Sequence, residues 1–232
     1  MNILVADEAS SGFQLSLTIP KGFSRDSLCT ELQKVMHRSA VPDGAIIQIW
    51  VEDIQPGDDE LLESIDFFKY RDLWQMRCDF PVEAESIPTK AFIPGIDNEA
   101  FLTVNSRAFS WHPEQGSLDS PKLNDLFKEE WFDNDGFLLL EVENRLAGFC
   151  WTKVHHQGDL ILGEIYAIAV DPDFHGRGFG KRLTTSGLNY LSRVGADLGM
   201  LYVEADNKPA VRIYEDIGFA HFSTNRAYRN SV

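Results

Sequence analysis

The most regular hydrophobic pattern in the chain lies between residues 163 and 195. An apolar, β-branched run from Glu164 to Val170 ends at Asp171-Pro172, which is typical of a buried strand stopped by a turn. After residue 180 the apolar and small positions recur at helical spacing, at Leu183, Gly187, Leu188, Leu191 and Val194, up to Gly195. The pattern therefore predicts a strand, a short loop and a helix in succession.

The residues before this strand predict two helices and a hairpin. Helical patterns cover Asp97–Phe109 and Pro121–Glu130, with a polar loop over residues 110–121 between them. The alternating runs Gly136–Glu141 and Ala147–Val154, joined at Asn144-Arg145, predict an antiparallel hairpin. We expect residues 155–159 to form the turn into the strand at Glu164.

The first 80 residues show a second series of elements. Strand-like runs at Phe13–Ile19 and Ala45–Val51 flank a helix-like Asp26–His37, and a short helix at Asp58–Ile65 precedes a strand at Leu73–Met76. Residues 81–96 contain three prolines and no clear period, so we interpret them as a linker with a boundary near residue 90. The chain is thus predicted to hold two domains.

Composition narrows the class of protein. With 232 residues, of which 44% are hydrophobic and 12% aromatic, the chain can build one large domain or two small ones. It has no run of about 20 consecutive apolar residues and no basic stretch followed by an apolar one at its start, so we expect neither a membrane span nor a signal peptide. The expected location is the cytoplasm.

Charge and cysteine content limit the partners. The formal net charge of −15 disfavours nucleic acids and anionic membranes, which need basic surfaces. Cys29, Cys78 and Cys150 are odd in number and far apart, and we interpret them as ordinary reduced thiols. We expect a monomer that binds small molecules.

The loop between the predicted strand and helix carries the first chemical signal. His175 to Gly180 contains three glycines in six residues, which leaves backbone N–H groups uncovered at a helix N-terminus, where a phosphate is favoured. Arg177, Lys181 and Arg182 form the only dense cationic cluster, so the predicted ligand is a pyrophosphate. A simple tight turn is the alternative, because neither the G-K-[ST] nor the G-x-G-x-x-G signature is present.

Two motifs in this region resemble the GCN5-related N-acetyltransferases. The loop H-G-R-G-F-G after a Val-Asp-Pro strand end is similar to their acetyl-CoA motif, usually Q/R-x-x-G-x-G/A, with His175 as the departure. The stretch from Leu201 to Asn207, followed by Ala210 to Phe219, resembles their next strand and helix, with the A-x-x-x-Y-x-x-x-G-F signature. The resemblance implies their α/β (α+β) fold, a mixed twisted sheet flanked by helices, with acetyl-CoA as acetyl-donor cosubstrate and no metal.

One branch of that family is resembled in particular, the mycothiol synthases. The segments W-H-P-E-Q-G at 111–116 and G-F-C-W-T-K-V-H at 148–155 carry this likeness, together with 131–133, 163–166 and 201–204. Members contain two acetyltransferase-like domains in tandem, of which the second is catalytic. We therefore expect a truncated, degenerate copy over residues 1–80, a linker over 81–96 and a catalytic domain over 97–232.

The resemblance also implies a reaction and a set of residue roles. The acceptor would be the cysteinyl amine of the cysteine–glucosamine–inositol precursor of mycothiol. Glu114, Lys153, Glu164 and Tyr202 would line the acceptor site, and Tyr214 would be the acid. The residues implied to hold acetyl-CoA are Ile168, Ala169, Val170, His175, Gly176, Arg177, Gly178, Phe179, Gly180, Lys181, Asn207, Lys208, Pro209, Ala210, Val211 and Arg212.

The chemistry of the reaction is consistent with these residue types. An α-amine has a pKa of about 7.7–8.0, so it must lose a proton before attack, and Glu164 can take that proton directly or through water. The leaving group is a thiolate, to which a tyrosine hydroxyl can donate, and a backbone N–H near Ala169 or Val170 can stabilise the oxyanion. Each role has a structural alternative: core packing for Tyr214, a buried structural carboxylate for Glu164, and ordinary surface charges for Glu114 and Lys153.

Other functions remain open on the sequence alone. The cofactor motif is shared by enzymes that acetylate other small amines or protein N-termini. A catalytically silent acyl-CoA-binding module that regulates a partner is the alternative of a different class. His155 and His156 invite a metal interpretation, but no further ligand lies at suitable spacing, so we expect them in a turn.

Overall fold

The computed structural model describes residues 2–5, 14–19, 24, 27–30, 32, 34, 46–110 and 115–230. The chain forms two compact units. The first unit is built from Met1–Gln75, Val203–Lys208 and His221–Val232, and the second from Met76–Tyr202 and Pro209–Ala220. Both differ from the predicted boundaries, because the C-terminal segment pairs with a strand of the first 80 residues and residues 81–96 lie within the second unit.

The first unit contains a mixed sheet, a short helix at 58–63 and helical residues at 27–30, 32 and 34. Its strands follow the order β1-β2-β3-β10-β4, in which β2 pairs parallel to β3 and β10 pairs antiparallel to β3. Leu17, Ile49 and Tyr228 are fully buried in its core. The elements are β1 (Asn2–Val5), β2 (Gln14–Ile19), β3 (Ile46–Val51), α1 (Asp58–Glu63), β4 (Phe67–Asp79) up to Gln75, and β10 (Ala220–Asn230) from His221.

These elements match the sequence prediction for the first half where it can be compared. The strands predicted at Phe13–Ile19, Ala45–Val51 and Leu73–Met76 and the helix at Asp58–Ile65 are present as β2, β3, part of β4 and α1. Within the helix predicted over 26–37, the described residues 27–30, 32 and 34 are helical. Strands β1 and β10 are elements that the hydrophobic pattern did not single out.

A partly buried charge network joins the last strand of this unit to α1 and β4. The Arg226 guanidinium donates to both carboxylate oxygens of Asp72 at 2.6 and 2.9 Å and to Asp59 at 2.6 and 2.8 Å. The Tyr228 hydroxyl also donates to Asp59. Burial alone would raise the pKa of Asp72, but the hydrogen bonds and charge of Arg226 and Lys69 outweigh it and hold that pKa below its usual value.

Replacing Arg226 should destabilise the protein, and the loss should depend on pH. Arg226→Met leaves two partly exposed carboxylates without their shared cation, and the loss of hydrogen bonds to charged groups costs about 1.5–3 kcal/mol. Folding lowers the pKa of Asp72 and of Asp59. The stabilisation by Arg226 is therefore fully present above the pKa that these groups have in the unfolded chain, and it is lost as the pH falls through their pKa in the folded protein. Urea unfolding should therefore show a large difference from wild type at pH 7 that shrinks below about pH 4. A constant difference across this range would contradict the network.

The second unit is a mixed sheet flanked by helices, as the sequence predicts for the fold class. Its strands follow the order β9-β8-β7-β6-β5, in which β8 and β9 are parallel and the other pairs antiparallel. No described helix of the chain is long and apolar enough to cross a membrane. The elements are β5 (Lys90–Ala91), α2 (Asn98–Ala108), α3 (Ser120–Leu126), β6 (Phe137–Val142), β7 (Arg145–Gln157), β8 (Leu160–Val170), α4 (Phe179–Arg193), β9 (Leu198–Glu204) and α5 (Lys208–Glu215).

The two turns around β7 show how local sequence sets this sheet. Glu143 and Asn144 have φ values of 54° and 60°, so the β6–β7 hairpin closes through a turn with positive φ at both central residues. Strand β7 then continues to Gln157, and the next turn is made by residues 158–159, with Gly158 at φ 62°. The prediction that His155 and His156 lie in a turn is therefore wrong, because both belong to the paired part of β7.

An aromatic core holds one face of this sheet. Phe101 of α2 packs edge-on against Phe137, Phe149 and Trp151, and all four side chains are buried. The segment before α2 belongs to the same body, because Phe92 stacks on Phe137 at 4.2 Å between ring centroids. The core fixes β7 and β8, which carry most of the candidate site.

Candidate active site

The candidate site begins where β8 and β9 separate. Residues Leu162–Ile165 of β8 pair with Leu198–Leu201 of β9, and the pairing between these two strands ends there. On its other side, β8 continues to pair with β7 as far as Val170. Among the described strands, the last five residues of β8 therefore pair on one side only. Their backbone groups on the other side are free to meet a ligand.

A bulge and the alternation of the strand decide which groups face this opening. Ile165 and Ala167 oppose successive residues of β7, which leaves Tyr166 as the extra residue. The N–H of Asp171 donates to Ala147 on the β7 side. Since backbone groups alternate along a strand, the N–H groups of Val170 and Ile168 face away from β7, into the opening. Of the two predicted oxyanion donors, Val170 is placed for the role and Ala169 faces β7.

A cavity of about 110 Å³ lies against this free part of β8. Helices α4 and α5 form its other walls. Because all the lining residues belong to the second unit, the cavity is a feature of that unit alone. Its lining consists of Ile168, Ala169 and Val170 from β8, Gly180 and Thr184 from α4, and Ala210, Ile213 and Tyr214 from α5.

The glycine-rich loop leads from β8 into α4. Gly176 and Gly178 have φ values of 76° and 72°, a region that L-residues with side chains rarely adopt. Gly178 is the N-cap of α4 and provides no side-chain cap, so the first N–H groups of the helix have no capping acceptor. The imidazole of His175 donates to the Val170 carbonyl at 2.9 Å, which ties the loop back to the end of β8.

Two of the predicted cations flank this helix start. Arg177 lies over the Phe174 ring at 5.1 Å and is about half exposed. Lys181 is 3.7 Å from Asp216 and also partly exposed. A donor-rich helix N-terminus with nearby cations favours a phosphate group. The arrangement suits the pyrophosphate predicted from the sequence.

Tyr214 lines the cavity from α5. Its ring packs edge-on against Phe219 at 5.8 Å between centroids. Burial raises the pKa of the Tyr214 hydroxyl above its ordinary value, and the neighbouring Cys150 has a smaller effect in the same direction. Among the described residues the hydroxyl has no hydrogen-bond partner, and at neutral pH it carries its proton. The side chain is therefore available as a proton donor to a group in the cavity.

The opposite face of β7 and β8 carries the predicted acceptor residues. Glu164 is 8% exposed, and its carboxylate is bonded to the Nε2 of His155 at 2.6 Å. Lys153 lies directly opposite Glu164 on β7. Its ammonium does not pair with that carboxylate within the described structure but lies 4.4 Å from the ring centroid of Trp131 and 5.6 Å from that of Tyr166.

A second, open cavity of about 500 Å³ adjoins these side chains. The charges of Glu164 and Glu129 act on Tyr166, whose pKa is raised first by burial and then by these two carboxylates. The surface of this cavity combines the carboxylates of Glu129 and Glu130, the ammonium of Lys153 and the half-buried ring of Trp131. The cavity is lined by Glu129, Glu130, Trp131, Lys153, Val154, His155, His156 and Gln157.

The remaining predicted site residues are placed less centrally. Tyr202, on β9, is 38% exposed and close to Arg77, and it lines neither cavity. Asn207 and Lys208 belong to the first unit, where the Lys208 ammonium donates to Ala205. The other predicted cofactor residues on α5 lie beside those that line the cavity, Pro209 and Arg212 exposed and Val211 buried. Glu114 lies outside the described residues.

Three residues near Lys153 and Glu164 were not predicted from the sequence as site residues. Tyr166 and Trp131 were noted only inside resembling segments, and His155 was assigned to a turn. Alternation along a longer β7 would have placed His155 on the same face as Lys153. Among the described residues no group of three or more His, Cys, Asp or Glu side chains could hold a metal ion.

Comparison with known proteins relates this geometry to one family. Residues 102–219 match the acetyltransferase (GNAT) family model. A protein from Actinosynnema mirum named mycothiol acetyltransferase is 37% identical over 91% of this chain and 73% of its own length. One of the same name from Streptomyces coelicolor is 42% identical over 82% of this chain and 63% of its own length.

Solved structures agree on the fold. A GCN5-related N-acetyltransferase from Sphaerobacter thermophilus superposes with a TM-score of 0.73 at 20% identity, covering 99% of this chain and 75% of that one. One from Kribbella flavida gives a TM-score of 0.59 at 11% identity, covering 95% and 82%. The matches cover 63–82% of the length of these four proteins.

Proposed function

The chain belongs to the GNAT family of acetyltransferases, and we propose that it transfers the acetyl group of acetyl-CoA to the cysteinyl amine of the cysteine–glucosamine–inositol precursor, giving mycothiol. The observation that carries the proposal is the opening between β8 and β9. The helix start at one end of this opening offers free N–H donors, and the buried carboxylate of Glu164 lies on the opposite face of β7 and β8. The acceptor is inferred from the name shared by relatives at 36–42% identity.

Acetyl-CoA is expected to bind along the free side of β8. The N–H groups at the start of α4 would receive the pyrophosphate, with Arg177 and Lys181 supplying positive charge. The N–H groups of Ile168 and Val170 would meet the rest of the cofactor, and the lined cavity would take its thioester end. Residues present in the cavity are small or apolar except Thr184 and Tyr214, which suits an acetyl group.

Three groups of the chain would carry the reaction. Glu164 takes a proton from the α-ammonium, the amine nitrogen forms a bond to the acetyl carbon, and the N–H of Val170 stabilises the oxyanion. When the intermediate collapses, the C–S bond breaks and Tyr214 gives its proton to the departing thiolate. The nitrogen then loses a second proton, and solvent carries this proton to the Tyr214 phenolate, which becomes a hydroxyl again. One proton is released overall, and CoA leaves as the free thiol.

The acceptor surface fits an amine that carries polar groups. The open cavity beside Glu164 offers the carboxylates of Glu129 and Glu130, the Lys153 ammonium and the edge of Trp131. Hydroxyl-rich rings find both hydrogen-bond acceptors and an aromatic surface there. Acetylation of another small amine or a protein N-terminus remains the alternative, and a silent acyl-CoA-binding module is the alternative of a different class.

A thiol-release assay with a panel of amines separates these functions. Acetyl-CoA is mixed with the mycothiol precursor, a peptide or a polyamine, and free CoA is measured after the precursor's own thiol is corrected for. We expect the highest kcat/KM with the precursor. Turnover only of the peptide or polyamine would move the function to the first alternative, and acetyl-CoA binding without turnover of any amine would support the silent module.

Filling the cavity from α4 should block acetyl-CoA. A Cβ at Gly180 would lie 3.8 Å from Ile213, which is ordinary contact, so Gly180→Ala should be tolerated. The longer side chain of Gly180→Leu would project into the cavity and should raise the KM for acetyl-CoA by about 10-fold or more. Equal KM values for the two variants would show that acetyl-CoA does not occupy this cavity.

We further propose that the first unit contains the truncated, degenerate copy expected from the sequence and binds no acetyl-CoA. The segment that follows β2 in the sequence, residues 20–25, lies outside the described residues except for Ser24; it has one glycine and Pro20, which lacks a backbone donor. Titration calorimetry of the wild type should give one acetyl-CoA per chain. A stoichiometry near two in the wild type, with the second site surviving in Gly180→Leu, would contradict this. A monomer in the cytoplasm stays the expectation for its state and location.

A further inference from the structure

His155 forms the one hydrogen bond that the Glu164 carboxylate receives among the described residues. The Nε2 to Oε2 distance is 2.6 Å, and the two side chains are 28% and 10% exposed. His155 lies on β7, two residues beyond the direct cross-strand neighbour of Glu164. Diagonal neighbours of this kind are within reach of long or ring side chains.

The chemistry of the pair fixes its orientation. An ionised carboxylate only accepts hydrogen bonds, so the Nε2 of His155 must carry the hydrogen that it donates. This contact takes Oε2 and leaves Oε1 without a partner in the described part of the chain. A base with one oxygen held and the other open is suited to take a proton from an incoming amine.

Lys153 does not compete for this contact, although it is the direct neighbour of Glu164 across the strands. Its ammonium is held over the rings of Trp131 and Tyr166 instead. An ammonium paired with Glu164 would occupy the oxygen that the acceptor needs. The carboxylate is thus held by the imidazole of His155, which lines the open cavity.

We propose that His155 is the positioning residue of the acid–base site: it donates its Nε2 hydrogen to Glu164 and directs the other carboxylate oxygen towards the acceptor amine. The proposal rests on the proposed function, in which Glu164 is the base. His155 acts through Glu164 and takes part in no bond change itself.

A double-mutant cycle with matched substitutions tests this role. His155→Leu removes the donor and should lower kcat by about 10-fold, with the KM for acetyl-CoA unchanged. His155→Gln keeps an N–H donor near the same position and should recover most of the loss. In the Glu164→Gln background, His155→Leu should have little further effect. Additive losses, or a Gln variant as poor as the Leu variant, would overturn the proposal.

A measurement that needs no turnover separates the role of His155 from the proposed function. Proton–nitrogen NMR of histidine-labelled protein should show a hydrogen-bonded Nε2–H on His155 in the wild type, with its proton signal shifted downfield and slow to exchange, and Glu164→Ala should lose this signal. If the NMR result is as expected but no amine is acetylated, the proposed function fails. If an amine is acetylated and the NMR shows no hydrogen-bonded Nε2–H, the role of His155 fails.

Discussion

Glu164→Gln should lower kcat by about 10²-fold or more at neutral pH, because it removes the group that accepts the amine proton. The amide keeps the size of the carboxylate, so the packing around it is retained. Glu164 is buried, and among the described residues only one of its carboxylate oxygens is hydrogen-bonded, to a histidine that lines the open cavity. The affinity for acetyl-CoA should stay the same, since the cofactor cavity does not include this side chain.

The pH dependence of this loss distinguishes a base from a binding group. An α-amine with a pKa of about 7.7–8.0 is mostly protonated at pH 7 and mostly neutral above pH 9. The protein base is therefore needed most at low pH, and the difference between the variant and wild type should shrink as pH rises. The check is kcat/KM for both proteins from pH 6 to 9.5. A loss that is constant with pH would assign Glu164 to substrate binding.

Tyr214→Phe should lower kcat by about 10²-fold while acetyl-CoA affinity changes little. The raised pKa keeps the hydroxyl protonated through the neutral and moderately alkaline range, so the acid form is present wherever the enzyme works. The phenylalanine ring retains the contact with Phe219 and the wall of the cavity. Only the proton supplied to the leaving thiolate is lost.

A second tyrosine provides the control for this variant. Tyr190, on α4, also has a pKa raised by burial, but its hydroxyl bonds to Asp133 and it lines neither cavity. Tyr190→Phe should leave kcat within about 3-fold of the wild type. Steady-state kinetics and calorimetry with acetyl-CoA measure both variants. A Tyr214→Phe protein with wild-type kcat would remove Tyr214 from the reaction.

The cofactor half of the site could be predicted because its determinants are local. A strand, a glycine loop and a helix follow one another within about 30 residues, and the positive φ at Gly176 and Gly178 explains why glycine occurs there. Tyr214 was predicted from a signature of similar locality, and it lines the cavity. Short-range patterns of this kind fix both the backbone and the ligand chemistry.

The acceptor half depends on contacts between separate parts of the chain. Trp131 precedes β6, His155 lies late on β7, and only strand pairing and a bulge bring them to Glu164 and Tyr166. The two units illustrate the same limit, because β10 joins the first unit by pairing with β3 about 175 residues earlier. The periodicity of hydrophobic residues alone does not specify which distant strands pair with each other.

The identity of the acetylated atom tests the central claim most directly. Purified protein, acetyl-CoA and the cysteine–glucosamine–inositol precursor are incubated, and the product is examined by NMR and mass spectrometry, with Glu164→Gln in parallel. We predict a single acetyl group on the cysteinyl nitrogen with the thiol free, formed rapidly by the wild type and slowly by the variant. No acetylated precursor from the wild type, or an equal rate from both proteins, would contradict the account.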